Sequence, residues 1–257
     1  MTKDDFSNTS WSMGSSKSYW KEKSTTIDFE KLVKNSSSHS VDWDGVIKLD
    51  EFGGTVQPVF PTPLYFNYLK RPFRNTETEC FNDVLKNLKV NTGNHTSASS
   101  LVLDDERLSD LKKWFVNCLY DYFNIVLHVK DDITPYITSS WLNSTEKGQF
   151  HHEHYHTNSI VSAVFYIDAN EETDNIVFHK QNINPISISV KNDEYNQYNA
   201  ESYSVVAQTG MLILFPSSLR HSVPSVTSDE TRVSLSFNTF VKGSLGDEGK
   251  NTLLVLD

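Results

Sequence analysis

From about residue 131 onward the chain breaks into short strand-like runs at residues 136–142, 159–167, 175–178, 203–206, 211–215 and 231–240, separated by turn-forming stretches. Two of these runs say which surfaces they meet. The run Gly210-Met-Leu-Ile-Leu-Phe-Pro216 is continuously apolar between two punctuating residues, as expected of a strand covered on both faces. In residues 231–240, by contrast, Val233, Leu235 and Phe237 alternate with Arg232, Ser234, Ser236 and Asn238, giving one apolar and one polar face. Many short strands following a helical segment place the chain in a mainly β class with flanking helices (α+β). A sandwich or barrel flanked by helices fits this order, and a jelly roll is the natural architecture at this length.

Upstream, helical spacing of apolar residues predicts one helix over residues 76–88 and a second over residues 104–127. The second carries Leu108, Leu111, Trp114, Phe115, Cys118, Leu119 and Phe123 on one stripe, behind the acidic start Asp104, Asp105 and Glu106. Such stripes are scaffold, and Cys80 and Cys118 within them read as packed free thiols. Residues 56–65, with three prolines, predict an extended opening strand. The expected organisation is an arm over residues 1–55, a jelly-roll domain with flanking helices over 56–242 and a tail over 243–257. Residues 252–256 of the tail form either a last edge strand or a loose end. Residues 7–40 are rich in Ser, Thr, Asn and Lys, and bury too little to offset chain entropy. Trp11, Trp20 and Trp43 leave two readings of the arm: a solvated tail, or a segment docking on its own domain or on a protein partner.

The formal charge of −10 disfavours nucleic acid as a partner, because a phosphate backbone is gripped by basic surface. No stretch is apolar for long enough to cross a bilayer, and the first residues lack a secretory pattern, so a membrane role is not expected and the protein should stay where it is made.

Four of the nine histidines fall within residues 151–156, in Gln149-Phe-His-His-Glu-His-Tyr-His156. Strand alternation predicts that His152, His154 and His156 share a face while Glu153 turns away. His221 follows the buried strand at 210–216, and Arg232 comes eleven positions later on the polar face of the last strand. Imidazole alone does not choose among iron, copper, nickel and zinc. Three protein ligands on one side, with the other side open, is the layout of non-haem iron oxygenases, whereas structural zinc would close the site with thiolates that do not lie near this cluster.

Three stretches carry a resemblance: residues 154–167, residues 210–221 and residues 232–238, supported by Phe60-Pro-Thr-Pro-Leu-Tyr65 and Trp141-Leu-Asn143. Together they resemble the 2-oxoglutarate-Fe(II) oxygenases of marine bacteria and their phages, across roughly residues 56–242. The resemblance implies a double-stranded β-helix, a cupin-like jelly-roll core, with Fe(II) at one open end and 2-oxoglutarate as small-molecule cosubstrate. It implies His154, His156 and His221 as metal ligands, with His152 as the fallback in a shifted register. Arg232 is implied as partner of the far carboxylate of 2-oxoglutarate, helped by Tyr166 or Ser234, with Asn143 and Asn238 as further pocket residues. No catalytic side chain beyond the metal ligands is implied, and the setting is the cytoplasm of a bacterial cell or of a phage-infected host, or a virion. His156 stands where the wider superfamily carries a carboxylate, so the ligand set is all nitrogen.

Two other functions remain compatible with the residues. One is a three-histidine metal dioxygenase that uses no 2-oxoglutarate. The other is a non-enzymatic jelly-roll binding or structural module of a virus particle, fastened by its arm. The prime substrate is not legible, since pocket walls in such folds come from loops.

Overall fold

The computed structural model describes residues 47–49, 54–56, 58–181, 186 and 188–257. Of the arm read over residues 1–55, only β1 (Ile47–Leu49) and part of β2 (Gly54–Val56) are described, and they pair antiparallel; the rest, including Trp11, Trp20 and Trp43, lies outside the described residues. Next come β3 (Tyr65–Tyr68), α1 (Asn75–Leu85), β4 (Leu88–Val90), β5 (His95–Ser97) and α2 (Ser109–Asp121). The β region follows with β6 (Thr134–Thr145), β7 (His151–His154), β8 (Val161–Asp168), β9 (Asn175–His179) and β10 (Ser202–Val206). It closes with β11 (Met211–Pro216), β12 (His221–Val223), β13 (Arg232–Leu245) and β14 (Leu254–Leu256).

A major sheet has the order β3-β11-β8-β13-β6-β5-β4 with β14 on β13, and a minor sheet has the order β10-β9-β12-β7. From β6 to β13 the chain passes repeatedly from one sheet to the other, which winds it into a double-stranded β-helix. The fold is therefore mainly β, a jelly roll flanked by helices, as the strand pattern predicts. Residues 252–256 supply the edge strand β14, which pairs Leu254 with Leu245 and Leu256 with Gly243. No described helix is long and apolar enough to cross a membrane.

The major sheet is covered on both faces, which explains why β8 is buried along Val161–Ile167. On one face Phe165, Leu212, Leu235 and Phe237 pack under α1 and α2, with Phe115 5.1 Å from the rings of both Phe165 and Phe237. Burying one such phenylalanine is worth about 2–3 kcal/mol, so this face anchors the scaffold. On the other face Val164, Tyr166, Met211, Ile213 and Phe215 meet Ile176, Phe178 and Val205 of the minor sheet. The aromatic stripe of the second predicted helix is the surface that docks: Leu108, Leu111, Phe115, Cys118, Leu119 and Phe123 are buried and Trp114 partly so.

Boundaries differ where local chemistry intervenes. The extended opening strand predicted over residues 56–65 is not one strand. Pro58, Pro61 and Pro63 carry no N–H to donate to a ladder, and β3 begins only at Tyr65. The first helix stops at Leu85 because Leu88 already opens β4. The second is a shorter α-helix entered through the 3₁₀ turns Val102–Asp104 and Glu106–Leu108, and left through the π-helical turn Tyr122–Val126. In the first turn of α1, Glu77 is fully buried; its carboxylate accepts from both terminal guanidinium nitrogens of Arg71 at 2.6 and 2.8 Å and from the amide of Arg74 at 2.9 Å.

Candidate metal and cosubstrate site

The histidine strand β7 pairs with β12, and His154 stands directly opposite His221. His156 lies two residues past the end of β7, where its amide donates to the carbonyl of Ser217 at 2.9 Å and holds the chain against the loop before His221. These pairings bring together the three histidines that the resemblance implies. Ring centroids are 4.3 Å apart for His154 and His221, 5.1 Å for His154 and His156, and 5.1 Å for His156 and His221. One nitrogen from each can be chosen so that all three lie within 4.8 Å of one another.

The backbone also sets which nitrogen is offered. Nδ1 of His154 lies 2.8 Å from the carbonyl oxygen of His152, and Nδ1 of His221 lies 3.0 Å from that of Leu219. A carbonyl only accepts, so each Nδ1 carries the proton and each Nε2 keeps a free lone pair. Burial lowers the pKa of His154, holds that of His156 at about 4 and that of His221 at about 2, the neighbouring imidazoles adding to each depression. The rings are therefore neutral near pH 7, the form that binds a cation. Phe215, 4.8 Å from His221, supplies part of the apolar wall.

Across the cleft, the major sheet presents a polar row. Tyr166 on β8, Ser234 on β13 and Asn143 on β6 are direct cross-strand partners, and Arg232 stands at the start of β13 opposite Thr145. Arg232 is only 3% exposed. Its Nη2 reaches the Tyr166 hydroxyl at 3.4 Å and its guanidinium carbon lies 5.2 Å from that ring, while its Nε has no hydrogen-bond partner. Among the described residues no carboxylate pairs with it. A buried guanidinium without an anion is costly, and the cleft beside it is where the anion belongs. Arg232, Ser234 and Asn143 line the same cleft as His154, His156 and His221, together with Trp141, whose ring is 5.7 Å from His156. Asn143 donates to the Ser236 hydroxyl at 3.1 Å and leaves its buried Oδ1 without a partner.

Asn238 stands apart. It pairs with Ser162, whose hydroxyl donates to its Oδ1 at 2.8 Å, and it does not line the cleft. The reason is distance along the strand: four residues beyond Ser234 is about 13 Å. Tyr166 reaches the site through Arg232 and is not itself a lining residue.

The alternation expected for the histidines also breaks. On β12 the partners His221 and Val223 are two residues apart, whereas on β7 their partners His154 and His151 are three apart, a β-bulge. The extra residue turns His151 into the cleft and leaves His152 exposed. The His151 ring stacks on that of His154 at 4.3 Å and 20°. His152, the fallback ligand, groups with His151 and His154 and not with His221. Glu153 does turn away, toward Arg220 at 3.3 Å and His179 at 3.9 Å. Sequence reasoning thus missed His151, and the only signal for it, a slip of the ladder, is not written in the strand's own residues.

Residues 139–238 match the family model described as "Putative 2OG-Fe(II) oxygenase". The segment begins in β6 and ends in β13, so it spans every residue named above as lining the cleft. Among solved structures, the chain is similar to an oxidoreductase of the 2OG-Fe(II) oxygenase family from Burkholderia pseudomallei, at 12% identity over 68% of this chain and 83% of that one, with a TM-score of 0.45. It is similar to a prolyl-4-hydroxylase from Pseudomonas putida, at 16% identity over 69% and 92%, TM-score 0.45. It is also similar to HygX from Streptomyces hygroscopicus with iron bound, at 12% identity over 69% and 82%, TM-score 0.45. No curated protein matches the chain.

Proposed function

We propose, from the match of residues 139–238 to the 2OG-Fe(II) oxygenase family model, that this protein hydroxylates its substrate with Fe(II) as cofactor and 2-oxoglutarate as cosubstrate. The observation that carries the reading is Arg232: a buried, carboxylate-free guanidinium facing the same cleft as three convergent imidazoles. Three neutral histidines, two of them offering Nε2, suit Fe(II). His154, His156 and His221 would hold the metal, and Arg232, steadied by Tyr166, would take the far carboxylate of 2-oxoglutarate in a two-point grip. Bound Fe(II) and 2-oxoglutarate supply the oxidising chemistry, in which dioxygen is consumed, succinate and carbon dioxide leave, and one oxygen atom goes to the substrate.

The chain's own contribution is ligation, orientation and charge. With imidazole in place of a carboxylate at His156, nothing in the ligand set offsets the dipositive ion, and Arg232 adds a further positive charge to the cleft. A dianionic cosubstrate is drawn into such a site more strongly than into one with a carboxylate ligand. Ser234 and Asn143, beside Arg232, offer a hydroxyl and an amide for positioning what binds next to it.

The all-imidazole set also favours a second reading, a three-histidine dioxygenase that oxidises its substrate without 2-oxoglutarate. Anaerobic titration decides between them. Adding 2-oxoglutarate to the Fe(II) protein should produce the weak visible charge-transfer band of the chelate, and admitting air should release succinate. No band and no succinate would leave only the second reading.

A further inference from the structure

The bulge in β7 gives His154 a second set of neighbours that the oxygenase reading does not use. His151, His152 and His154 have ring centroids 4.3, 5.2 and 5.4 Å apart, nearly the same triangle as the 4.3, 5.1 and 5.1 Å of His154, His156 and His221. In both sets one nitrogen from each ring can be chosen within 4.8 Å of the other two. The sets differ in depth: His152 is exposed and His151 half-buried, whereas His221 is buried.

His154 belongs to both sets, yet it has a single nitrogen to give. Its Nδ1 is bound to the carbonyl of His152, which leaves Nε2 alone. One Nε2 lone pair cannot serve two cations, so the sets are alternatives.

We propose that His151, His152 and His154 form an outer site for a divalent transition cation, which occupies either this site or the inner one. Three imidazoles and no carboxylate select for borderline cations such as Ni(II), Zn(II), Cu(II) and Fe(II) over Mg(II) or Ca(II). The outer site is the solvent-facing one, so an incoming cation meets it first. Transfer inward then exchanges His151 and His152 for His156 and His221 while His154 keeps its bond, with no step in which the ion is free. The inner triad enters this inference only as the other half of the shared ligand.

The test uses Ni(II) alone, with the full chain carrying no affinity tag, and reads stoichiometry and affinity by calorimetry. The double variant His156→Ala/His221→Ala, checked for native circular dichroism, should still bind one Ni(II) per chain; adding His151→Ala should weaken that binding by about tenfold or more. A folded double variant that binds none, or binds equally well without His151, overturns the proposal, and so does a wild-type chain that binds two ions at once. A measurement that does not depend on the double variant folding is rapid mixing with the exposed His152→Ala chain. It should load one Ni(II) several-fold more slowly than wild type, and an unchanged rate overturns the proposal. None of these readouts involves 2-oxoglutarate, so failure of the oxygenase reading leaves them interpretable, and their failure leaves that reading standing.

Discussion

Gly93 and Phe150 meet backbone to backbone at the base of the histidine strand: the amide of Phe150 donates to the carbonyl of Gly93 at 3.0 Å. Gly93 has φ +91°, and a Cβ there would sit 2.5 Å from the Phe150 carbonyl oxygen. The turn between β4 and β5 therefore clamps the residue immediately before His151. Gly93→Ala faces both a left-handed backbone and a steric wall, and is expected to cost about 1–3 kcal/mol in urea unfolding. Because the displacement falls next to His151, the same variant should also weaken Ni(II) binding. Unchanged stability and affinity would show that the clamp is dispensable.

Arg232 separates cosubstrate binding from folding. Arg232→Ala removes charge-assisted hydrogen bonds worth about 1.5–3 kcal/mol and should raise the Kd for 2-oxoglutarate roughly 10- to 100-fold, read from the anaerobic charge-transfer band. Since no described carboxylate pairs with this guanidinium, replacing it with an apolar side chain removes an uncompensated buried charge. Arg232→Met is thus expected to keep or raise the thermal midpoint of the ligand-free protein while weakening 2-oxoglutarate binding as Arg232→Ala does. A fall of many degrees would mean that the arginine is primarily structural.

The two thiols should be inert in the folded protein. Cys80 is fully buried and Cys118 nearly so, and both are free. Burial pushes the Cys80 thiol up to about 12, with the Asp105 carboxylate adding to the shift, and burial also raises Cys118. The thiolate is the reactive form, so iodoacetamide at pH 8 should leave both unmodified until denaturant is added. Raising the pH from 8 to 10 should do little at Cys80, because its thiolate appears only as pH nears 12. Mass spectrometry of intact protein would expose rapid native labelling if this picture of the helix interface were wrong.

Glu77 ties the chain ahead of α1 to the helix's first turn. Glu77→Ala strands the Arg71 guanidinium and the Arg74 amide together, and the expected loss is about 2–3 kcal/mol, moderated because Arg71 is partly exposed. Glu77→Gln should recover part of the loss by still accepting the amide bond. Equal stability of all three proteins in a denaturant titration would remove this anchor from the account of the fold.

Legibility followed the physics of each segment. Residues 161–168 and 211–216 announce themselves because both faces of the major sheet are covered, so their apolar runs reflect burial directly. Arg232 was readable because β13 sets Val233, Leu235 and Phe237 against the helices and turns the intervening residues toward the minor sheet. The hairpin β4–β5, Leu-Lys-Val and His-Thr-Ser, was not readable: each strand has three residues and is held by its neighbours more than by its own pattern. Asn238 looked like a pocket residue because parity places it on the polar face, but parity says nothing of distance along a strand. His151 was hidden for the opposite reason, since parity assigned it to the wrong side and only the pairing with β12 corrects it.

The surplus residue in β7 gives the strand slack. Losing either His152 or Glu153 would leave His151 and His154 in regular two-residue spacing, still aimed inward, whereas straightening the ladder at full length would bring His152 in and turn His151 out. The strand can thus be one residue shorter without moving either inward histidine. Comparisons among relatives that match histidines by their count along the chain, and not by the partner each meets on β12, will equate side chains that point in opposite directions.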